Sequence, residues 1–329
     1  MPVRSTVSVV IPCHNQARYL KAALRSVADQ TVAPFETIVV DDGSSDGSSA
    51  TAAAAGATVV RLPHSGVSIA RNRGLATASG TFVIFLDADD ELEPDAIESG
   101  LAVLERQPDA WMVARCCVLV NSAGKELPTN CPAPEDDDLY GQWLGRNLVW
   151  TPGAAVIRRA PLLAIGGFPA GVGPAADYAV YLELARAGRV VFDPRVAVRY
   201  RQHEANMSRD AVRMLRATLT VLRHEAAFVP ASHRRRFHVG RRDWCTFYGE
   251  QVIQQLRLDL RHRRLGYPQF RAMAFLLREC PHLMFSHVKR KIRRLLAGYG
   301  RAEVEGTRFL EPEPAGTEPA GVPAPEPPH

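Results

Sequence analysis

Three polar clusters within residues 1–90 each follow directly on a short apolar run. In chain order they are His14-Asn15, Asp41-Asp42 and Asp87-Ala88-Asp89-Asp90. Carboxylates held close together repel one another, and their pKa values rise unless a cation neutralises them. Oxygen ligands of this kind suit Mg²⁺ or Mn²⁺ beside a diphosphate. The clusters therefore predict a divalent metal site, provided that the fold brings them together.

Each cluster also has a structural interpretation when it is taken alone. Asp41-Asp42-Gly43-Ser44 is a common turn and helix-cap sequence. Asp87-Ala88-Asp89 could form a turn at the end of a strand, and His14 could serve in packing or hydrogen bonding. The occurrence of all three clusters in this order favours one shared binding site over three separate structural roles.

The elements that must position these clusters alternate between strands and helices. Strands are predicted at residues 7–11, 37–40, 58–61, 82–86 and 111–120, and helices at 19–30, 46–55, 68–78 and 94–107. Continuously apolar strands in such an alternation indicate an α/β fold, with a Rossmann-like, mainly parallel sheet flanked by helices on both faces. Ligands of such sheets bind at the carboxyl ends of the strands, where all three clusters lie.

Several segments, in the order in which they occur, resemble motifs of glycosyltransferase family 2. They are residues 7–15, 39–47, 66–74, 80–90, 153–159 and 166–168, followed by a closing segment at 200–208. Residues 80–90 contain the family's DxD motif as Asp87-Ala88-Asp89. The resemblance covers residues 1–210 and implies a GT-A fold. It also implies inverting transfer of a sugar from a nucleoside diphosphate, usually with a divalent metal.

The resemblance implies roles for the residues that bind the sugar donor. Asp41 matches the aspartate that hydrogen-bonds the nucleotide base, His14 lies near that base, and Asp42 supports the turn. Arg71 matches the basic residue that faces the diphosphate, a task for which the guanidinium fork is well shaped. Asp87 matches the ribose-binding member of the DxD motif.

The metal ligands that the resemblance implies are Asp89 and His203. Asp89 is the metal-binding member of the DxD motif, for either Mg²⁺ or Mn²⁺. His203 lies in the closing segment, where a histidine can complete the metal shell, although a lone histidine also has a structural interpretation. The metal and an arginine together would stabilise the negative charge on the leaving nucleotide.

The catalytic base that the resemblance implies is Asp177. An inverting transfer needs a base that takes the proton of the acceptor hydroxyl as that hydroxyl attacks. The family has an acidic pair at the start of a helix here, whereas this chain has Ala176-Asp177. Asp177 occupies the position of the base. Because its acidic neighbour is missing, a nucleotide-sugar-binding module without catalytic activity is the alternative function. A helix cap is the structural alternative for Asp177.

Charge is distributed unevenly along the 329 residues. Residues 1–210 hold 19 Lys and Arg against 24 Asp and Glu, residues 211–300 hold 19 against 5, and residues 301–329 hold 2 against 6. These shifts predict a catalytic domain, an Arg-rich helical extension and a disordered tail rich in Pro and Glu. The extension should favour an anionic partner.

A basic amphipathic helix is predicted over residues 283–296. Its apolar side chains at 285, 288, 292 and 295 share one face, and its cations lie opposite. Such a helix can lie on an anionic membrane, or it can pack on the catalytic domain with its basic face in water. Nucleic acid is not expected as a partner, because no zinc-binding or aromatic-interleaved motif accompanies the charge.

The cysteines and the N-terminal residues favour a cytoplasmic protein. The six cysteines show no CxxC pair, and we expect them to be buried or unpaired thiols of a reducing compartment. No signal-peptide pattern precedes residue 7, and no run approaches the ~20 apolar residues of a membrane-spanning helix. Lipid contact through 283–296 would place the protein at the inner face of the cell membrane.

These features predict a transferase that moves a hexose or N-acetylhexosamine from a UDP-sugar to a glycan or lipid-linked acceptor. A nucleotidyltransferase also uses carboxylate-bound metal on an α/β sheet, but its Gly-rich, Lys-containing phosphate loop is missing after the first strand. A dehydrogenase would need GxGxxG at the same place, and that pattern is missing too.

Overall fold

In the computed structural model, which describes residues 6–264, 266–287 and 289, eight strands form one sheet. The strands are β1 (Val7–Cys13), β2 (Glu36–Asp41), β3 (Thr58–Arg61), β4 (Phe82–Phe85), β5 (Glu91–Leu92), β6 (Ala110–Asn121), β7 (Ala155–Arg158) and β8 (Arg189–Gln202). Their order across the sheet is β3-β2-β1-β4-β7-β6-β8-β5. The sheet is therefore the frame on which every candidate site residue is placed.

Ten helices accompany the sheet in the described part of the chain. They are α1 (Ala17–Ala28), α2 (Ser48–Ala54), α3 (Val67–Thr77), α4 (Ala96–Arg106), α5 (Leu139–Trp143), α6 (Arg159–Ala164), α7 (Ala176–Ala187), α8 (Ala211–Glu225), α9 (Arg234–Arg261) and α10 (Tyr267–Glu279). The predicted helices of the first half correspond to α1–α4, with ends that differ by a few residues. The described part of the Arg-rich extension is mostly helical, as predicted.

The half of the sheet that carries the polar clusters is parallel. β1 pairs in parallel with both β2 and β4, and β2 pairs in parallel with β3. Every residue of β1 is buried, as a continuously apolar central strand requires. Helix α3 packs closely against this strand at Gly74, where an added Cβ would overlap the Val10 side chain. The carboxyl ends of β1, β2 and β4 therefore lie side by side.

The other half of the sheet is mixed, and three of its strands, β5, β7 and β8, were not predicted from the sequence. β7 runs antiparallel to β4 and β6, and β8 runs parallel to β6 with register shifts near Arg115 and Cys116. β8 contains Pro194, and β7 follows a turn that begins at Pro152. Proline and bulges interrupt the alternation from which strands are recognised. The architecture is nevertheless the predicted α/β arrangement, in which one sheet is flanked by helices.

The cysteine prediction was wrong for two of the six residues. Cys116 and Cys131 form a disulfide across a Cα–Cα distance of 5.7 Å, whereas Cys13, Cys117, Cys245 and Cys280 are free and buried. The loop after β6 turns back along that strand, and the backbone N–H of Leu127 donates to the Leu119 carbonyl at 2.8 Å. This return of the chain brings the two sulfur atoms together, and it leaves no spacing motif in the sequence.

The helical extension belongs to the same compact unit as the sheet, which ends at Cys280. The predicted boundary at residue 210 falls between β8 and α8, inside this unit. Residues 281–287 are helical and belong to a second unit. Most of the predicted helix 283–296 and the whole predicted tail 301–329 lie outside the described residues. Among the described helices, none has the length and apolar character needed to cross a bilayer.

Candidate active site

Asp41, the last residue of β2, is surrounded by hydrogen-bond donors. The backbone N–H of Ser44 donates to its Oδ1 at 2.8 Å, the Ser49 hydroxyl donates to its Oδ2, and Arg61 Nε lies 3.6 Å from the same oxygen. Burial alone would raise the pKa of Asp41, but these hydrogen bonds and the arginine together lower it. The carboxylate is therefore held in its charged, hydrogen-bond-accepting form.

Asp42 fastens the chain that leads into α3. Its two carboxylate oxygens accept from the backbone N–H groups of Ser65 and Gly66, at 2.7 and 2.8 Å. The intervening turn needs glycine at position 43, where φ is +80° and an added Cβ would lie 2.9 Å from the His64 backbone nitrogen. Both carboxylate oxygens of Asp42 are therefore engaged within the protein, where they hold the turn that leads into α3.

His14 and His64 form a stacked pair above Asp42, with ring centroids 4.1 Å apart. Among the described residues, only His14, Asp42 and His64 bring three metal-ligating side-chain atoms within 4.8 Å of one another. Each Nδ1 also lies within hydrogen-bond distance of the Asp42 carbonyl oxygen, at 2.8 Å for His14 and 3.2 Å for His64. A carbonyl oxygen can only accept, so both rings must carry the proton on Nδ1. Those nitrogens are then unavailable to a metal.

Arg71 links the DxD motif to the start of α7. Its guanidinium is 5% exposed and donates through Nη2 to Asp87 Oδ1 at 2.7 Å. It also lies 5.3 Å from the centre of the Phe168 ring. Burial alone would lower the pKa of Arg71, but Asp87 and Asp177 raise it above its ordinary value. One buried cation thus serves two carboxylates on different elements.

Asp177 lies in the first turn of α7 and is partly exposed. Burial raises its pKa from the ordinary value of 3.8 to about 6, although Arg71 acts in the opposite direction. The backbone N–H of Tyr178 donates to Asp177 Oδ1 at 2.8 Å. A carboxylate with a pKa near neutrality is suited to take a proton and to release it again. The preceding Ala176 is fully buried, so a larger acidic side chain there would have to displace its neighbours.

The helix that carries Asp177 is braced by α9. The Tyr178 hydroxyl donates to the Trp143 carbonyl at 2.6 Å and accepts from Trp244 Nε1 at 3.1 Å. All three groups are buried, so the hydrogen bonds are shielded from water. Trp244 belongs to the Arg-rich extension, which therefore contributes directly to the position of α7.

Asp89 pairs with His203 across the sheet edge. His203 Nε2 lies 2.8 Å from Asp89 Oδ2, and the Tyr19 ring stacks on the imidazole at a centroid distance of 5.0 Å. Burial and the neighbouring Asp87 raise the pKa of Asp89, although His203 acts in the opposite direction. Only 17% of the Asp89 side chain is exposed. A buried carboxylate beside a second one is an environment in which a cation would be stabilising.

Asp90 anchors the DxD segment to the rest of the sheet. Its carboxylate is completely buried, accepting from the Thr151 hydroxyl at 2.6 Å and from the backbone N–H of Arg201 at 2.9 Å. Burial, with Asp89 and Asp87 nearby, raises the pKa of Asp90 well above its usual range. Asp90 thus fixes the spacing between the DxD motif and the β8 segment that ends near His203.

The structure thus brings the predicted site residues into three groups along one edge of the sheet. The groups are Asp41, Asp42 and His14; Arg71, Asp87 and Asp177; and Asp89 with His203. The charges of Asp87 and Asp89 influence each other, which connects the second group to the third. Asp87 is turned towards Arg71, and in this structure it does not form a compact three-atom ligand group with Asp89 and His203.

Sequence analysis missed two residues that complete these groups, His64 and Tyr181, and it gave Asp90 no role beyond membership of its cluster. His64 lies two residues before the recognised motif 66–74, so proximity to a motif was the available signal. Tyr181 lies one turn after Asp177, and its buried hydroxyl has no hydrogen-bond partner among the described residues. The charge of Asp177 contributes, after burial, to raising the pKa of Tyr181 well above its usual range. No sequence pattern indicated it.

Comparison with known proteins gives matches in sequence. Residues 8–165 match the family model described as glycosyl transferase family 2. An uncharacterized glycosyltransferase of Rickettsia typhi is 27% identical over 217 residues, which cover 64% of this chain and 68% of the relative. The putative teichuronic acid biosynthesis glycosyltransferase TuaG of Bacillus subtilis is 31% identical over 149 residues, covering 42% of this chain and 59% of the relative.

Other relatives match over a shorter stretch. The uncharacterized glycosyltransferase YibD of Escherichia coli is 39% identical over 116 residues, which are 33% of each protein. The matching parts of GlyA from Streptococcus pneumoniae and EpsH from Bacillus subtilis are 15% and 31% of those proteins. The chain thus spans a third or less of the length of these three relatives.

Solved structures share the fold. The mannosyltransferase PcManGT from Pyrobaculum calidifontis, in complex with GDP-Man and Mn²⁺, has a TM-score of 0.57 and 19% identity, with coverage of 87% of this chain and 84% of that chain. S. aureus TarS in complex with UDP-GlcNAc has a TM-score of 0.55 and 19% identity, with coverage of 78% and 88%. At such identities the likeness shows the common GT-A fold.

Proposed function

We propose a transfer reaction for this chain on the premise that it belongs to glycosyltransferase family 2. It moves a hexose or N-acetylhexosamine from a UDP-sugar to a hydroxyl group of a glycan or lipid-linked acceptor, with inversion at the anomeric carbon. The observation that carries this proposal is the group formed by Arg71, Asp87 and Asp177, which combines a base near neutrality with a buried cation.

Asp177 is the proposed general base. Its raised pKa leaves it deprotonated at neutral pH yet basic enough to accept the proton of the attacking hydroxyl. Its partial exposure at the start of α7 allows an acceptor to reach it. The brace from Tyr178 to Trp244 fixes the helix, and a fixed base loses less rotational freedom when the acceptor binds.

The donor nucleotide is proposed to lie along the ends of β1, β2 and β4. Asp41 accepts a hydrogen bond from the base, and the stacked rings of His14 and His64 lie beside it. Asp87 binds the ribose, and Arg71 places positive charge next to the diphosphate. The UDP-GlcNAc and GDP-Man in the TarS and PcManGT structures support a nucleotide sugar as the donor class.

A divalent metal, Mg²⁺ or Mn²⁺, fits the residues at the DxD motif. The Asp89 carboxylate is mostly buried next to Asp87, and a cation would offset the cost of placing its negative charge there. His203 Nε2 contacts the same carboxylate. Oxygen ligands with one imidazole suit Mn²⁺ well and Mg²⁺ acceptably. When bound, the metal would neutralise the negative charge that develops on the departing diphosphate. The Mn²⁺ in the PcManGT complex supports this choice.

The setting of the reaction is also proposed. The protein acts in the cytoplasm, and the basic segment 283–296 brings it to the inner face of the cell membrane, close to a lipid-linked acceptor. Residues 1–210 are proposed as the catalytic domain and residues 211–300 as a basic extension of it. The teichuronic acid biosynthesis relative supports a role in building a cell-envelope polysaccharide.

The test is a panel of nucleotide sugars incubated with the full chain and Mn²⁺, with released nucleotide measured over time. Slow hydrolysis of the donor needs no acceptor, so at least one UDP-sugar should release UDP, and the rate should fall when EDTA is added. NMR of the product with a supplied acceptor then shows whether the anomeric configuration is inverted. Donor binding without release from any sugar nucleotide would instead favour an inactive binding module.

A further inference from the structure

A cleft between α8 and α10 lies outside the candidate active site and is lined by four arginines. Arg216 and Arg223 come from α8, and Arg271 and Arg278 come from α10. The cleft has a volume of about 510 Å³. Residues 211–280, which include both helices, hold fourteen arginines, no lysine and five acidic residues. The cleft thus lies in a part of the chain that carries a strong excess of positive charge.

Glu279 is the acidic residue of the cleft lining, and its charge is shared among several arginines. Its Oε1 lies 3.6 Å from Arg223 Nη2 and 3.5 Å from Arg278 Nε, and its Oε2 lies 3.2 Å from Arg241 Nη2. The Arg223 and Arg278 side chains remain 62% and 84% exposed. One carboxylate cannot neutralise this many guanidinium groups, so the cleft keeps a net positive charge.

The exposed face of α10 beside the cleft is apolar. Its large side chains are Tyr267, Phe270, Met273 and Leu277, which are 73%, 69%, 36% and 55% exposed. Their spacing of three and four residues places them in one stripe along the helix. The buried side of the same helix carries Ala272 and Leu276. Helix α10 therefore packs on the protein by small and aliphatic side chains and presents aromatic ones to its surroundings.

The cleft and the apolar stripe adjoin each other on α10. Arg271 and Arg278 line the cleft and follow stripe residues Phe270 and Leu277 directly in sequence. Arg271 also lies 5.6 Å from the Tyr267 ring centre, and Arg216 lies 5.2 Å from the Phe275 ring centre. Guanidinium groups beside aromatic rings match a surface that is anionic outside and apolar beneath. The phosphate oxygens of such a surface pair with the guanidinium groups, and its acyl chains contact the aromatic rings.

We propose that this surface, formed by the four-arginine cleft and the α10 stripe, docks the protein on an anionic lipid bilayer. The arginines bind lipid phosphates, and Phe270 and Leu277 enter the boundary between headgroups and acyl chains. The proposal concerns α8 and α10 and is separate from any membrane contact of the basic segment 283–296. It does not depend on the transferase reaction, so nucleotide release by the variants below should remain at the wild-type rate.

Vesicle co-sedimentation of the full chain tests the charge requirement. Binding should be strong with vesicles of phosphatidylglycerol and phosphatidylcholine, weak with phosphatidylcholine alone, and lower at higher NaCl concentration. Each arginine lost should weaken binding about fivefold, since an arginine near an anionic surface contributes about 1 kcal/mol. Arg216→Gln combined with Arg271→Gln should therefore weaken it about 25-fold. The matched control, Arg25→Gln with Arg106→Gln on α1 and α4, should bind like the wild type.

A fluorescent label distinguishes docking through α10 from docking through the basic segment 283–296. An environment-sensitive dye on Leu277→Cys should shift to the blue when phosphatidylglycerol vesicles are added, because the dye enters an apolar layer. The same dye on Phe35→Cys, which is 59% exposed in the wild type, should not shift. An unshifted Leu277 label on protein that co-sediments would overturn the proposal.

Other occupants of the surface give different results. If the surface instead binds a small soluble phosphate compound, the protein should bind glycerol 3-phosphate saturably and should not bind vesicles. This outcome also contradicts the proposal. A second copy of the chain would appear as a dimer in sedimentation analysis that Leu277→Ser converts to monomer, again without vesicle binding. Wild-type protein that binds neither kind of vesicle at low salt would contradict the proposal outright.

Discussion

Asn72 holds the main chain of Phe168 through both groups of its side-chain amide. Its Nδ2 donates to the Phe168 carbonyl at 2.8 Å, and its Oδ1 accepts from the Phe168 backbone N–H at 2.8 Å. Arg71, the preceding residue, lies over the Phe168 ring. Two consecutive residues of α3 thus contact the segment that leads to α7. These contacts connect α3 to the helix that carries the proposed base.

Asn72→Ala should therefore reduce both stability and turnover. Two partly buried hydrogen bonds are lost, and at about 1 kcal/mol each the free energy of unfolding should fall by about 2 kcal/mol. The midpoint of urea unfolding measures this loss, and kcat for nucleotide release should fall with it. Arg73→Ala, at an exposed neighbouring position, should leave both quantities unchanged. Equal stability of Asn72→Ala and wild type would show that the grip on Phe168 is energetically unimportant.

The pH dependence of turnover should report the raised pKa of Asp177. A base must be deprotonated to accept a proton. The enzyme should therefore be fully active well above pH 6 and should lose activity as the pH falls through about 6. An aspartate with the ordinary pKa of 3.8 would instead keep the enzyme active at pH 5. The profile of kcat/KM at fixed Mn²⁺ concentration measures this directly, with donor binding checked at each pH.

Asp177→Asn removes the proton acceptor while preserving the size of the side chain. Turnover should fall about 10²–10⁴-fold, the usual contribution of a positioned base, whereas UDP affinity should change little. The residual activity should no longer follow the ionisation near pH 6. Transfer at the wild-type rate by Asp177→Asn would place the base elsewhere.

Trp244→Phe tests the contribution of the Arg-rich extension to the site. The substitution keeps an aromatic ring against Tyr178 but removes the indole N–H that donates to the tyrosine hydroxyl. Stability should fall by about 1 kcal/mol, the usual net value of one buried hydrogen bond, and kcat should fall because α7 is less firmly held. Val239→Ala, at an exposed position of the same helix, is the control. A kcat unchanged by Trp244→Phe would limit α9 to a role in folding.

The sequence was sufficient to predict the parallel half of the fold. Strands β1 and β4 are buried throughout, and β2 is buried from Ile38 onward. The polar residues at the carboxyl ends of these strands lie at the sheet edge where such a fold must place them. The motif at residues 80–90 also lies within the segment that matches the glycosyl transferase family 2 model. Local periodicity and short motifs suffice here because each element is encoded by neighbouring residues.

The remaining features depend on contacts between distant parts of the chain. The disulfide between Cys116 and Cys131 needs the loop after β6 to reverse, and the brace of Tyr178 by Trp244 joins residues 66 positions apart. The hydrogen bonds that occupy Nδ1 of His14 and His64 are likewise invisible until β1 and the loop after β3 meet. Composition and spacing carry no information about such pairings, so only the folded chain reveals them.

The most direct test of the central claim is calorimetric titration of the protein with UDP, with and without Mn²⁺. The central claim is that the DxD segment binds a nucleoside diphosphate together with a divalent metal. Wild-type protein should bind UDP more tightly when Mn²⁺ is present, and Asp89→Ala should lose that increase while unfolding at a similar urea concentration. UDP affinity that is equal in Asp89→Ala and wild type with Mn²⁺ present would contradict the claim.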